Sequence, residues 1–329
     1  MRSILDKIGV KNVFVVPEQE LPDGNFPTVK SPNPENMEAF DIAIEYAKKQ
    51  NADLVFGTDP DSDRIGVVVK TADGEFKVLN GNQTGMLLCE FILRKMTERG
   101  TLTKQHTVVK TIVTTEVVRK IADNYAADVI DVLTGFKFIG EKIKEFEQTS
   151  DRKFVFGLEE SYGYLKGTYA RDKDAVVATM LIAEMTLYYR EKGITLSEQM
   201  ENIYKKYGYY VEYVESVVME GMDGSAKISG IMDNLRKNTP QSVAGKKVVA
   251  VRDYETSVRT EIESGKTEKI LLPKSNVIYL ELEDGNNFVV RPSGTEPKIK
   301  LYCLMRGGNK AEAEALVEAV KADIKNIVK

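Results

Sequence analysis

The sequence holds two cysteines and one histidine in 329 residues, and these scarcities exclude a good deal. Cys89 and Cys303 stand far apart in apolar stretches, without the close spacing that metal ligation by thiolates uses. They read as packed thiols in a reducing compartment, and the cytoplasm is the expected location. His106 precedes a strand-like run with no partner nearby, so a structural or solvent-exposed role is expected. No apolar run approaches the roughly 18 residues of a membrane span, and the first residues lack a signal-peptide core. Lys and Arg number 46 against 50 Asp and Glu, with no basic stripe, which argues against nucleic acid as a partner. Internal repeats and low-complexity segments are likewise missing. What remains is an ordinary globular balance, 42% hydrophobic and 29% charged, over a length that suggests two or three domains.

One stretch organises the rest. Gly57-Thr58-Asp59-Pro60-Asp61-Ser62-Asp63-Arg64 follows the apolar run Leu54-Val55-Phe56 and precedes Ile65-Gly66-Val67-Val68-Val69. In an extended segment alternate residues share a side, so Asp59, Asp61 and Asp63 are expected to converge. Three like charges so close need a partner, and a hard divalent cation, Mg²⁺ above all, suits oxygen ligands. A calcium loop of the EF-hand kind would want Gly at its sixth position and Glu at its twelfth, where Arg64 and Lys70 stand. An acidic surface turn is the bland alternative. Pro60 stiffens the loop, and Arg64 beside the acids makes sense where an anion also belongs. The stretch reads as a metal site facing a phosphate.

Along the chain, residues 12–16 read as a strand. Asn33 as N-cap with Pro34 after it opens a helix carrying Met37, Phe40, Ile44 and Ala47 at helical spacing. Residues 52–56 form a strand that delivers the acidic loop at its C-terminal end, where open α/β sheets place ligands. A hairpin over 65–70 and 75–79 closes this unit. Helices over 83–99, 117–125, 138–147 and 175–189 then alternate with strands over 108–113, 128–133 and 153–157, the pattern of a mostly parallel sheet. From about residue 206 the pattern is strand-rich, with strands at 209–219, 247–251, 277–282, 288–290 and 299–305 and helices at 226–237 and 311–327. The expected fold class is two consecutive α/β domains with mixed, largely parallel sheets, over 1–80 and 81–205, then a smaller α+β domain with an antiparallel sheet over 206–329.

Other stretches carry chemistry. Arg291-Pro292-Ser293-Gly294-Thr295-Glu296-Pro297 joins two strands. Its arginine can grip phosphate bidentately, its hydroxyls can donate, and Gly294 lets backbone N–H groups approach an anion; an exposed hairpin turn is the alternative. Gly157-Leu158-Glu159-Glu160-Ser161-Tyr162-Gly163-Tyr164 suits a polyhydroxylated ligand, since carboxylates accept hydrogen bonds from sugar hydroxyls. A glycosidase pair does not fit Glu159 and Glu160, because strand neighbours face opposite ways. Thr134-Gly135-Phe136-Lys137 and Arg171-Asp172-Lys173-Asp174 fall at element ends, where either could place a cation near phosphate or be an ordinary charged loop.

Taken together, these stretches resemble the α-D-phosphohexomutase family, the phosphoglucomutases and phosphomannomutases. The acidic stretch is similar to the family's metal loop, Gly-Leu-Glu-Glu-Ser-Tyr-Gly to its sugar loop and Arg-Pro-Ser-Gly-Thr-Glu-Pro to its phosphate loop, in the family's order over nearly the whole chain. Ser31-Pro32-Asn33-Pro34-Glu35 and Thr134-Gly135-Phe136-Lys137 fit as well, and Glu-Glu-Ser-Tyr-Gly-Tyr resembles the bacterial phosphoglucomutase branch. The resemblance implies Mg²⁺ on Asp59, Asp61 and Asp63, with Arg64 near the transferring phosphoryl group and Lys173 in general acid/base work. It implies Glu159 and Ser161 on the sugar's O3 and O4, with Thr134 and Gly135 lining the sugar site. Arg291, Ser293, Gly294 and Thr295 would hold the phosphate that is not transferred. The activity implied is interconversion of hexose 1-phosphate and hexose 6-phosphate through a hexose 1,6-bisphosphate, which would also serve as activator.

The sequence departs from the family at one point. The family's nucleophile is a phosphorylated serine in a Thr-Ala-Ser-His-Asn-Pro-like loop, and Gln105-His106-Thr107 does not match it. Ser62 is a poor substitute, because its neighbours face the metal and it has no general base. The expectation is therefore the C-terminal majority of a phosphohexomutase, with a missing N-terminal domain and no turnover on its own. A noncatalytic binder of metal and sugar phosphate is the alternative, as is a phosphomannomutase. A phosphatase using metal-bound water ranks below them, because a sugar-turning site has no need of water.

Overall fold

A computed structural model describes residues 1–219, 223–294 and 297–327. The chain divides into two compact units, Met1–Tyr207 and Gly208–Lys329.

The first unit opens with α1 (Arg2–Lys7) and the single turn α2 (Pro17–Glu20). No strand forms over 12–16, and Val13 and Phe14 are exposed. Their β-branched and aromatic character supplies propensity, but strand formation depends on packing against a neighbour. Asn33 is not a helix cap. Its side chain accepts the Glu35 N–H at 2.9 Å, a local turn in which an Asx side chain competes with helix formation. The helix begins later, as a 3₁₀ turn at Met37–Phe40 that runs into α3 (Asp41–Gln50). β1 (Leu54–Thr58), β2 (Ile65–Lys70) and β3 (Phe76–Leu79) follow as an antiparallel sheet in that order. Gly57 and Gly66 face each other across β1 and β2 and receive the Phe40 ring; a Cβ on them would come within 2.7 and 2.5 Å of it.

Next come α4 (Gly81–Glu98), β4 (His106–Thr111), α5 (Val117–Asn124), β5 (Asp128–Val132) and α6 (Phe136–Thr149). They are followed by β6 (Lys153–Glu159), β7 (Gly163–Lys166), α7 (Ala175–Arg190) and α8 (Leu196–Tyr207). Asn80 and Gln83 form a reciprocal capping box that starts α4. β4 stops at Thr111, where the Thr114 N–H turns back to the Thr111 carbonyl at 3.1 Å. The sheet order is β5-β4-β6-β7, with β4 parallel to β5 and β6 and with β7 antiparallel at one edge. After β4 the chain moves to β5 on one side and then to β6 on the other. The topological switch point therefore lies at the C-terminal ends of β4 and β6, where such sheets bind ligands. Lys110, fully buried near that end, is held by Glu116 at 2.8 Å and Asp131 at 3.2 Å. A buried cation is tolerable only with such partners.

The second unit contains β8 (Tyr209–Val218), α9 (Gly224–Lys237), β9 (Ser242–Val243), β10 (Lys246–Asp253) and β11 (Val258–Glu261). It continues with β12 (Thr267–Lys269), β13 (Ile278–Leu282), β14 (Asn287–Pro292), β15 (Lys298–Gly307) and α10 (Lys310–Ile327). The antiparallel order is β12-β11-β10-β13-β14-β15-β8, with β9 paired to β10. Ile278, Leu280, Val290, Ile299, Leu301 and Cys303 point into one core with Met232 and Val320 of the helices. By strand alternation, Tyr279, Val289, Arg291, Lys300 and Tyr302 occupy the opposite face.

Candidate functional site

The acidic residues converge, though not by the alternation expected of an extended segment. Residues 59–63 form a tight loop between β1 and β2, with Ser62 in the left-handed region at φ 58°. The Ser62 N–H closes the turn on the Asp59 carbonyl at 3.1 Å. Asp59 Oδ1 accepts the N–H groups of Asp63 and Arg64 at 3.1 and 3.0 Å. One carboxylate oxygen each from Asp59, Asp61 and Asp63 lies within 4.8 Å of the others, a group that could hold a metal ion. Burial raises the Asp59 pKa; the Arg64 N–H works against that rise, and the Asp63 and Asp61 charges add to it. A hard, oxygen-only donor set with mutually repelling charges fits an ion of the Mg²⁺ type.

Backbone bonds tie this loop to two others. The Ile65 N–H reaches the Tyr162 carbonyl at 3.1 Å, and Arg64 bridges Gly163 across the same join. The Ala175 N–H reaches the Ser62 carbonyl at 3.2 Å. Asp174 caps α7 by accepting the N–H groups of Val176 and Val177. The Asp174 N–H itself is held by the Tyr164 carbonyl at 2.8 Å. The acidic loop, the β6–β7 turn and the start of α7 are thereby fixed to one another.

Their side chains then meet. Lys173 Nζ is 2.8 Å from Asp63 Oδ2 and 3.6 Å from Asp172. Burial pulls the Lys173 pKa down, but Asp63, Asp172 and Glu159 outweigh it and hold the group above the ordinary lysine range. The Lys173 stem crosses Gly163, where a Cβ would come within 2.6 Å of it and 3.5 Å of Glu159 Oε2. Glu159, 4% exposed, accepts the Gly135 N–H at 2.9 Å. Burial raises its pKa to about 7; Glu160 adds to the rise, and Lys173, the Gly135 N–H and Arg64 oppose it. Gly135 sits at φ 121°, a conformation natural to glycine, and so aims its N–H at the carboxylate. Thr134 Oγ1 beside it is buried without a hydrogen-bond partner among the described residues. Ser161 lies in the turn between β6 and β7.

Glu160 points elsewhere, accepting the Thr111 and Thr114 hydroxyls at 3.0 and 3.3 Å. Two contacts were not legible in the motifs. Glu35 Oε1 pairs with Arg64 Nη1 at 3.2 Å, while Arg64 Nε stands 3.7 Å from Asp59 and 3.9 Å from Asp63. The other is the Lys173–Asp63 pair itself. Arg291, Ser293 and Gly294 belong to the second unit: Arg291 on β14, and Ser293 with its N–H on the Lys298 carbonyl at 2.8 Å. Thr295 lies outside the described residues.

Residues 1–74 match the family model "Phosphoglucomutase/phosphomannomutase, alpha/beta/alpha domain II", and residues 80–207 match the corresponding domain III model. The chain is 37% identical over 317 residues to the phosphoglucomutase of Staphylococcus saprophyticus, covering 96% of this chain and 57% of that protein. It is 38% identical over 326 residues to that of Staphylococcus haemolyticus, covering 99% and 57%. Among solved structures, a phosphoglucomutase/phosphomannomutase family protein from Burkholderia thailandensis shares the fold with a TM-score of 0.61 at 17% identity, covering 93% and 53%. The pp63/parafusin phosphoglucomutase of Paramecium does so at 0.59 and 16%, covering 84% and 45%. The chain belongs to the α-D-phosphohexomutase family and spans 57% of the length of the staphylococcal relatives. Among the described residues, no helix is long and apolar enough to cross a membrane.

Proposed function

We propose that the chain supplies the metal, sugar and phosphate loops of a phosphoglucomutase-type phosphotransferase that interconverts hexose 1- and 6-phosphates. In this reading residues 1–80, 81–205 and 206–329 correspond to the family's domains II, III and IV, acting in the cytoplasm. The observation that carries it is the convergence of the three carboxylates with Arg64, Lys173 and the Gly135-bound Glu159.

Asp59, Asp61 and Asp63 would hold Mg²⁺, which when bound would neutralise charge on a transferring phosphoryl group. Arg64, anchored by Glu35, would orient that group. Lys173 would exchange a proton with the sugar oxygen that gains or loses it. Glu159 would accept from sugar hydroxyls, joined by Ser161, while the unpartnered Thr134 hydroxyl and the Gly135 backbone would line the ring. Arg291, Ser293, Gly294 and Thr295 would grip the other phosphate, so that a hexose 1,6-bisphosphate can turn over between two transfers. Separate loops for the two phosphates and the ring suit a substrate that must bind in two orientations.

The family's phosphoserine loop has no counterpart in this sequence, so the chain by itself is proposed not to turn over. The decisive experiment mixes it with a serine-bearing N-terminal domain and assays interconversion of glucose 1- and 6-phosphates. Activity in the mixture and none in either part is expected; a folded but silent mixture overturns the reading. A second reading, a noncatalytic binder of metal and sugar phosphate, is supported by the same cluster of three carboxylates. Calorimetry with Mg²⁺ and glucose phosphates would then show binding while every mixture stays inactive. Mannose phosphates belong in the same assays, because both epimers offer the same O3 and O4 contacts.

A further inference from the structure

The face of the β5-β4-β6-β7 sheet that turns away from α6 carries a basic corner. Leu165 and Phe154 pack with the α6 residues Ile139 and Ile143. Phe156 pairs with Val108 on one side and Lys166 on the other, and its ring stacks on Tyr164, so these four occupy the opposite face. His106 lies two residues before Val108 and shares that face. Lys153 pairs with His106. In a regular strand Lys153, at an odd separation from Phe156, would point the other way. The register between β4 and β6 slips by one residue, Thr107 facing Phe154 and Val108 facing Phe156. Val155 is thus an extra residue, and the bulge turns Lys153 to the side of His106 and Lys166.

Three basic groups therefore share one corner, at the far end of β6 from Glu159. Their closeness is felt at His106. Burial lowers its pKa, the Thr103 backbone opposes that, and the Lys153 and Lys166 charges lower it further. Lys166 is half-buried, and burial lowers its pKa as well. Lys110 on the same face has Glu116 and Asp131 beside it, whereas among the described residues neither Lys153 nor Lys166 has a carboxylate partner. The Thr103 N–H donates to His106 Nδ1 at 2.9 Å. The neutral ring then carries its proton on Nε2, which is left as a directed donor.

We infer that His106, Lys153 and Lys166 form a binding site for a dianionic oxyanion, the phosphate group of a small phosphorylated molecule or free phosphate. Two ammonium groups match its two charges, and the imidazole N–H fixes its orientation. A half-buried cation without a partner is costly, and a bound anion removes that cost. The site stands about 20 Å along β6 from Glu159, so an anion bound there leaves the acidic loop and its neighbours open.

His106 is the sole histidine of the chain, so an NMR titration of the untagged protein reads the site directly from its imidazole protons. In chloride the midpoint should lie below the usual 6.5. Sulfate stays dianionic over this range, and at matched ionic strength it should raise the midpoint. Inorganic phosphate and glucose 6-phosphate should also raise it, and the one acting at lower concentration tells whether free phosphate or its sugar ester is the ligand. Lys153→Met and Lys166→Met should each raise the midpoint in chloride. The double variant should need about tenfold more sulfate for half of the response. Lys144→Met, on α6 across the sheet, should change neither. Lys166→Met should melt no lower than the parent chain, because a partly desolvated charge is removed; if it fails to fold, the exposed Lys153→Met should still weaken the sulfate response. A half-point unchanged in the variants, or no response to sulfate in the parent chain, overturns the inference.

Discussion

Lys173 Nζ lies 2.8 Å from Asp63 Oδ2, so the proposed general acid/base and the proposed metal ion would share one carboxylate. A cation in that position competes electrostatically with a divalent ion. Lys173→Met should therefore tighten Mg²⁺ binding by roughly tenfold, measured by calorimetry on the isolated chain. Weaker binding in the variant would mean that Lys173 is needed to shape the loop.

Asp59 and Asp61 should behave differently when neutralised. Asp59 accepts two backbone N–H groups that fold the loop, whereas Asp61 is exposed. Asp61→Asn should lower Mg²⁺ affinity about tenfold and leave the metal-free melting temperature unchanged or slightly raised. Asp59→Asn should lower both. Equal melting losses in the two variants would count against the assignment of Asp59 as the loop's organiser.

Glu159 predicts a pH signature. Its folded pKa is raised to about 7 from 4.5, so between those values the folded state holds a proton that the unfolded state has released. Stability then falls as pH rises from about 4.5 to about 7 and levels off above, a contribution of about 3 kcal/mol. Glu159→Gln should remove that slope, gaining on the parent chain at pH 8 relative to pH 5 in urea melts. Parallel curves for the two proteins would show that Glu159 titrates normally.

Two glycines should respond in opposite ways to alanine. A methyl at Gly81 would be driven into the Glu160 carbonyl oxygen, a backbone atom of the site turn; Gly81→Ala should cost about 3 kcal/mol. Gly230 lies inside α9 with nothing within 4 Å of its would-be Cβ, and Gly230→Ala should add about 0.5–1 kcal/mol. Denaturant melts of both variants check the pair.

Much of the candidate site could be read from residue order, because its loops are local motifs at strand ends. The convergence of the three aspartates could be read from their spacing, although the expected extended geometry gave way to a turn through Ser62. Pairings across long sequence distances, Glu35 with Arg64 and Lys173 with Asp63, leave no local trace. The strand expected over 12–16 failed because propensity does not provide a partner strand. Helix α8 is absent from the elements expected of the sequence, although Leu196, Met200, Ile203 and Tyr204 form its buried stripe at helical spacing.

The three loops of the first unit are joined by main-chain atoms: Ile65 to Tyr162, Ala175 to Ser62, and Asp174 to Tyr164. Main-chain donors and acceptors are common to nearly all residue types, so no side-chain atom of Ser62 or Tyr162 takes part in these joins. A designer could therefore vary side chains of the β6–β7 turn without breaking the main-chain bonds that hold the acidic loop. The spacing of the three loops is thus held by the main chain.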